Sequence, residues 1–299
     1  MRLLLSAFVV PQPIPPMTIR NKILSSVFAA AALLGPATIA SAQPFETSTS
    51  WLEGFDDWIN ELSAMKMDDF QFAVGAGVGT TADYPGGDNY DTVGLPLFQL
   101  RYKDKLTIDP LGVRFRFWRS DCCRARLLLS LSESRSANAD SAVAKLLDVD
   151  RGINTGFVFE GRVAGPLAAR FQLRKEIAGG HSGLTATTAI GLVLRDKTES
   201  YSVIPELAVT WASNNYMDAF YSVTPAGSLA SRLTPFDASS GFREVSFRVT
   251  TSYRFNEKWL MVGRLQAEKL LGDVKHSSIV RQAGDSFQGL LGMGVMYTF

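Results

Sequence analysis

General-base chemistry has few candidates in this 299-residue chain, whose two histidines are His181 and His276. Each precedes a serine, Ser182 and Ser277, but adjacent residues on a strand point to opposite faces. A nucleophile and its base would therefore have to be brought together from distant segments. Both histidines lie in Gly/Ser-rich stretches, where a solvated turn residue is the plainer account. No G-x-S-x-G, H-E-x-x-H or phosphate-loop pattern occurs, and no metal-ligand spacing. The expectation is a protein without enzyme activity, metal or cofactor. Cys122 and Cys123 are adjacent. Neighbouring Cα atoms lie about 3.8 Å apart, below the usual disulfide range, so two small residues at a turn are expected rather than a bridge. Asp83, Asp88 and Asp91 in 82–93 read as a plain acidic surface loop rather than a cation site.

The remaining charges alternate with apolar side chains. Phe157 and Phe159 oppose Glu160 and Arg162. Phe171, Leu173 and Ile177 oppose Arg170, Gln172, Arg174 and Glu176. Val245, Phe247, Val249 and Tyr253 oppose Ser246, Arg248, Thr250 and Arg254. Trp259, Met261 and Leu265 oppose Arg264, Gln266 and Glu268. A period of two is the mark of a strand with two different faces.

The last thirteen residues carry this furthest. Phe287, Leu291, Met293, Val295, Tyr297 and Phe299 share one parity, with glycines at 289, 292 and 294 and almost no charge. A closing strand of an outer-membrane barrel needs one face for lipid and the other for the lumen. Val295, Tyr297 and Phe299 are its candidate assembly signal. Candidate strands cover 70–81, 94–102, 105–110, 112–119, 124–133, 153–164, 168–178, 183–194, 202–212, 242–254, 258–269 and 287–299. Many are close to the ~9–11 residues that a tilted membrane strand requires. The expected fold is all-β: a transmembrane antiparallel up-and-down barrel of twelve strands.

Loop lengths support that count. With both ends periplasmic, long outer loops should alternate with short turns. They nearly do, provided Asp109-Pro110-Leu111-Gly112 is an outer turn that splits 105–119. Taking 105–119 as one strand and 218–224 as another also gives twelve, but puts the long 134–152 link in the periplasm.

Ahead of the barrel, Arg20 and Lys22 precede an apolar run, Ile23 to Ile39, and then Ala40-Ser41-Ala42. That order is a secretory signal peptide, so 1–42 should be removed, with Met17 the expected true start. The mature chain then holds 27 basic and 29 acidic residues, a formal charge of −2, which gives no support to nucleic-acid binding. Residues 43–69 hold Leu52, Phe55, Ile59 and Leu62 at helical spacing beside Trp51 and Trp58. This short periplasmic amphipathic helix could lie at the membrane interface, enter the lumen or dock a partner.

In a barrel the alternating charges face inward. Arg114, Arg116, Arg162, Arg170, Arg174, Arg248 and Arg264 would share the lumen with Glu160, Glu176, Glu206 and Glu268. A salt-bridged filling of a narrow interior is the preferred account, because unpaired charges there would be costly. A basic constriction passing anionic solutes is the rival. Trp118, Trp211, Tyr216, Tyr253, Trp259 and Tyr297 fall near strand ends and are candidates for the aromatic girdles.

Several segments also resemble one family. They are Tyr84-Pro85-Gly86-Gly87, Leu95-Pro96, Gly179-Gly180-His181-Ser182-Gly183, Trp211 to Met217, Tyr221-Ser222-Val223, Leu270-Leu271-Gly272-Asp273, Ser277 to Val280, and Tyr297-Thr298-Phe299. In order and spacing over 70–299 the chain is similar to the MipA/OmpV outer-membrane proteins. Ser278 replaces an expected proline, and Phe220-Tyr221 reverses a common Tyr-Phe. The resemblance implies a Gram-negative outer-membrane barrel in contact with lipid and lipopolysaccharide. It implies a scaffold between a lytic transglycosylase and a penicillin-binding protein. A monomer is expected, with docking through Trp51, Phe55, Trp58 and Leu62 and through the short turns.

Overall fold

The computed structural model describes residues 70–299 apart from 104, 136–141 and 199; the expected signal peptide and the amphipathic segment 43–69 lie outside these described residues. Twelve antiparallel strands pair in chain order and close into a barrel. They are β1 Phe70–Ala82, β2 Tyr90–Tyr102, β3 Leu106–Asp109, β4 Gly112–Arg119, β5 Cys123–Leu131 and β6 Ile153–Ala164. After them come β7 Leu167–Ala178, β8 Leu184–Leu192, β9 Tyr201–Ala212, β10 Gly241–Arg254, β11 Trp259–Leu270 and β12 Phe287–Thr298. The first and last strands make the closing seam, from Ala73↔Thr298 to Thr80↔Leu291.

Local sequence explains the irregularities. Asp109-Pro110-Leu111-Gly112 does form the turn between β3 and β4. The Leu111 N–H donates to Asp109 Oδ1 at 2.9 Å, and Gly112 has φ +133°. A Cβ there would sit 2.1 Å from the Leu129 carbonyl oxygen, so only glycine closes this hairpin. The alternative strand at 218–224 is not formed. β8 breaks at Val193 and resumes as Leu194–Arg195, because Pro205 opposite the break has no N–H to offer the ladder. On its other side the β7 ladder continues past the break, Val193 N–H donating to the Pro166 carbonyl.

The alternation holds around the wall. In β12, Phe287, Leu291 and Val295 are exposed while Gln288 and Leu290 are buried. Phe115, Leu127, Leu129, Phe159, Phe171, Leu207, Phe247 and Leu265 likewise face outward from their strands, and polar partners face in. An apolar belt of this extent would drive association in water; hydrocarbon accommodates it. Among the described residues no helix is long and apolar enough to cross a membrane.

The long connections at one end are not plain loops. They contain α1 Asn214–Tyr221, α2 Pro225–Ser231, α3 Gly272–His276, α4 Ser278–Ala283 and a 3-10 turn at Val143–Lys145. Thr224 caps α2 by accepting the Gly227 N–H, with Pro225 at its first position. Ser277 caps α4 through the Ile279 N–H and also donates to the Tyr221 carbonyl. These pieces share a buried core of Tyr216, Met217, Phe220, Tyr221, Val274 and Val280, and a second of Tyr84, Val143, Leu146, Val223, Leu233 and Ile279. They form a packed cap over one barrel mouth. The other end carries the tight turns.

Candidate functional site

Ion pairs and an apolar cluster occupy the inner face of the barrel. Nearest the cap, Arg243 donates to Glu133 at 3.1 Å and Glu244 at 2.9 Å, and Tyr216 bridges Arg243 and Glu133 through its hydroxyl. In the wall below, Glu206 Oε1 accepts from Arg170 at 2.8 Å and from Arg248 at 2.9 Å. Arg248 and Arg264 both donate to Gln266 Oε1, whose amide donates on to Glu268. On the far wall Glu160 pairs with Arg124 and Arg126, and Asp109 with Arg114. A third element is apolar: Leu95, Leu97, Leu111, Val262 and Leu290 form a buried cluster with Val93, Leu260 and Met296. Leu97 fits there because the facing residue two strands away on β12 is small; a Cβ on Gly294 would lie 2.6 Å from Leu97 Cδ1.

Between cap and network lies a polar chamber of about 50 Å³, lined by Arg170, Arg174, His181, Tyr216, Arg243 and Arg248 among others. At about 10–15 Å³ per water it holds a few solvent molecules.

Arg114, Arg170, Arg248, Arg264, Glu160, Glu176 and Glu206 are buried on the inner face, and Arg174 and Glu268 are half-buried there. Arg116 is half-exposed, and Arg162, paired with the buried Ala168 on the inward parity, is exposed near the end of β6. Tyr216 is a correction. It is not at a lipid girdle but on α1, 3% exposed inside the cap. Burial holds its phenol well above the usual value. Trp118, Tyr253, Trp259 and Tyr297 stand on the outer surface near strand ends, with Trp259 and Tyr297 rings 5.0 Å apart; Trp211, half-buried, ends β9 on the outward parity. Phe299 stacks on Phe72 at 5.7 Å, while Val295 faces outward. Trp51, Phe55, Trp58 and Leu62 lie outside the described residues.

The histidines are not paired with serines. His181 Nδ1 accepts the Gly183 N–H and Nε2 faces Glu176 Oε1, while His276 is exposed at the end of α3. Cys122 and Cys123 are joined to each other at the β4–β5 turn, with Cα atoms 3.7 Å apart, contrary to the expectation of two unbridged residues.

Sequence reading missed Arg101, Arg124, Arg126, Glu133, Arg243 and Glu244. Continuing the inward parity along β2 and β5 would have found the first three. Arg243 had no such signal. It is the extra residue of a bulge between Thr210↔Glu244 and Trp211↔Phe242, which turns it inward beside Glu244.

Together these features define an outer-membrane β-barrel that, among the described residues, carries paired charges and an apolar cluster on its inner face and a helical cap at one mouth. The sequence model of MipA, the MltA-interacting protein, matches residues 74–299, and the chain belongs to that family. No curated protein matches in sequence. Among solved structures, the KdgM porin is 10% identical, with 76% of this chain and 99% of that chain covered at a TM-score of 0.37. The translocator domain of the autotransporter NalP from Neisseria meningitidis is 12% identical, covering 82% and 93% at 0.35. An outer membrane channel from Pseudomonas putida F1 is 15% identical, covering 79% and 97% at 0.36.

Proposed function

We propose that this protein is a closed outer-membrane anchor that holds murein-processing enzymes at the membrane, rather than a conduit or an enzyme. The observation that carries the reading is what occupies the lumen: ion pairs and an apolar cluster side by side on the inner face, with a cap at one mouth. A scaffold needs a rigid membrane body and a periplasmic face, and no passage. The family's name supplies the partner class, a lytic transglycosylase of the MltA kind, with a penicillin-binding protein as the second expected partner. Docking is assigned to the periplasmic side: Trp51, Phe55, Trp58 and Leu62 with the short turns. Val295, Tyr297 and Phe299 serve assembly of the barrel, and the outward Trp118, Trp211, Tyr253, Trp259 and Tyr297 anchor it at the interfaces.

The test has two arms. The full-length protein in a planar bilayer should give no stable conductance; a steady open channel favours the rival reading, a pore with an arginine-lined lumen. A purified lytic transglycosylase should be recovered with the full-length protein and lost on deletion of 43–69. Unchanged recovery after that deletion removes the proposed docking site.

A further inference from the structure

We propose that His181 is an acid-sensitive latch that holds the cap closed over the polar chamber. The histidine sits in the 179–183 turn between β7 and β8, under α1. Its ring meets Tyr216 and Phe220 edge-on, with centroids 5.4 and 5.3 Å apart. Nδ1 accepts the Gly183 N–H at 2.9 Å, so the neutral ring carries its proton on Nε2. That nitrogen lies 3.3 Å from Glu176 Oε1. The Glu176 carboxylate is itself engaged. It accepts the N–H of His181 at 2.7 Å, the N–H of Ser182 at 2.5 Å and the Ser132 hydroxyl at 3.0 Å. One side chain thus ties the β7–β8 turn to the end of β5, and the imidazole fills the space between that tie and α1.

A second proton has no place to go here. It would sit on Nδ1, opposite the Gly183 N–H, and exchange a hydrogen bond for two opposed donors. The groups around the ring divide. Glu176 and Glu133 favour the cation, and Lys175 opposes it. Tyr216 presents its ring and Phe220 offers no charge. Arg174, Arg243 and Glu244 line the same chamber. Burial outweighs the carboxylates and keeps the His181 pKa below its ordinary value.

The direction of the pH effect follows. With α1 lifted, the ring is solvated and titrates near its ordinary value of about 6.5. The open form then takes up the proton more readily than the closed one. Closure is therefore fully favoured above about pH 6.5 and is lost as pH falls through 6.5 toward the lowered value. Each unit of lowering multiplies the open population about tenfold once the pH lies below both values. Opening would admit external water to the chamber.

The measurement is hydrogen exchange of the full-length protein in nanodiscs at pH 7.5 to 5, corrected for intrinsic rates and followed on peptides spanning 213–223. The chain has two histidines, so two variants separate them. The wild type and His276→Gln should both exchange about tenfold faster in the cap at pH 5. His181→Gln should show a flat profile. A flat wild-type profile, or a His181→Gln protein that keeps the acid response, overturns the latch. If His181→Gln does not fold, His181→Asn takes its place with the same expected flat profile, and a flat profile in His276→Gln sinks the proposal.

Discussion

Glu206→Gln separates a filled lumen from a water-filled one. Glu206 Oε1 is the shared acceptor for Arg170 and Arg248, at 2.8 and 2.9 Å, and all three side chains are nearly buried. Removing one member of such a buried set costs about 3–5 kcal/mol, because the cations left behind lose their counter-charge without regaining water. Two features favour the lower end. Gln266 still accepts from Arg248 Nε at 3.2 Å, and the polar chamber reaches both guanidinium groups. The expected loss is about 3 kcal/mol. A urea m-value near the upper end of the range, about 3 kcal/mol per M, converts this to a midpoint lowered by about 1 M. The assay is urea unfolding of the barrel in lipid vesicles, followed by tryptophan fluorescence, against wild type in the same vesicles. In an open channel the same pair would be solvated and worth about 0–1 kcal/mol. A midpoint shift below about 0.3 M, which at that m-value is about 1 kcal/mol, would refute the filled lumen.

Other predictions concern the cap. Tyr216→Phe removes the hydroxyl that bridges Arg243 and Glu133, and should cost about 1–3 kcal/mol, read as faster proteolysis within 213–240. Gly284→Ala places a Cβ 1.8 Å from the Gly86 carbonyl oxygen, so the Tyr84-Pro85-Gly86-Gly87 turn must move, at about 1–3 kcal/mol. Gly94→Ala, with nothing within 4 Å of its added carbon, should leave thermal unfolding unchanged and serves as the control.

The wall was legible because lipid and lumen impose opposite demands on neighbouring residues, and strand geometry writes that into a period of two. Phe287, Leu291 and Val295 against Gln288 and Leu290 need no tertiary information. Asp109-Pro110-Leu111-Gly112 was legible for a local reason, since its turn chemistry is contained in four residues. The cap was not. Its helices are five to eight residues long, too short for a helical period to stand out from loop composition. Tyr216 looked like a girdle residue because it follows the end of β9; only the turn of α1 into the barrel mouth buries it. Arg243 was hidden by a bulge, where one inserted residue reverses the parity on which every other inward charge was read. Trp118 also follows a bulge, between Arg116 and Trp118, and this one delivers the ring to the outer face beside Phe159.

Most segments that carry the family likeness meet at the capped end. Tyr84 donates to the Ala283 carbonyl, and Gln288 clasps Gly86 and Gly87. Gly179 to Gly183 wraps Glu176, Ser213 leads into α1, Ser222 accepts the Ala238 N–H, and Ser277 binds the Tyr221 carbonyl. These contacts hold one mouth shut, yet the scaffold reading assigns partners to the opposite end. The two statements are compatible only if the cap secures the barrel and the periplasmic side does the binding. Gly284→Ala and Tyr216→Phe should then loosen the cap without changing recovery of a lytic transglycosylase by the folded protein. If either variant stays folded in its barrel and loses that recovery, the partner surface lies at the cap, and the periplasmic assignment fails.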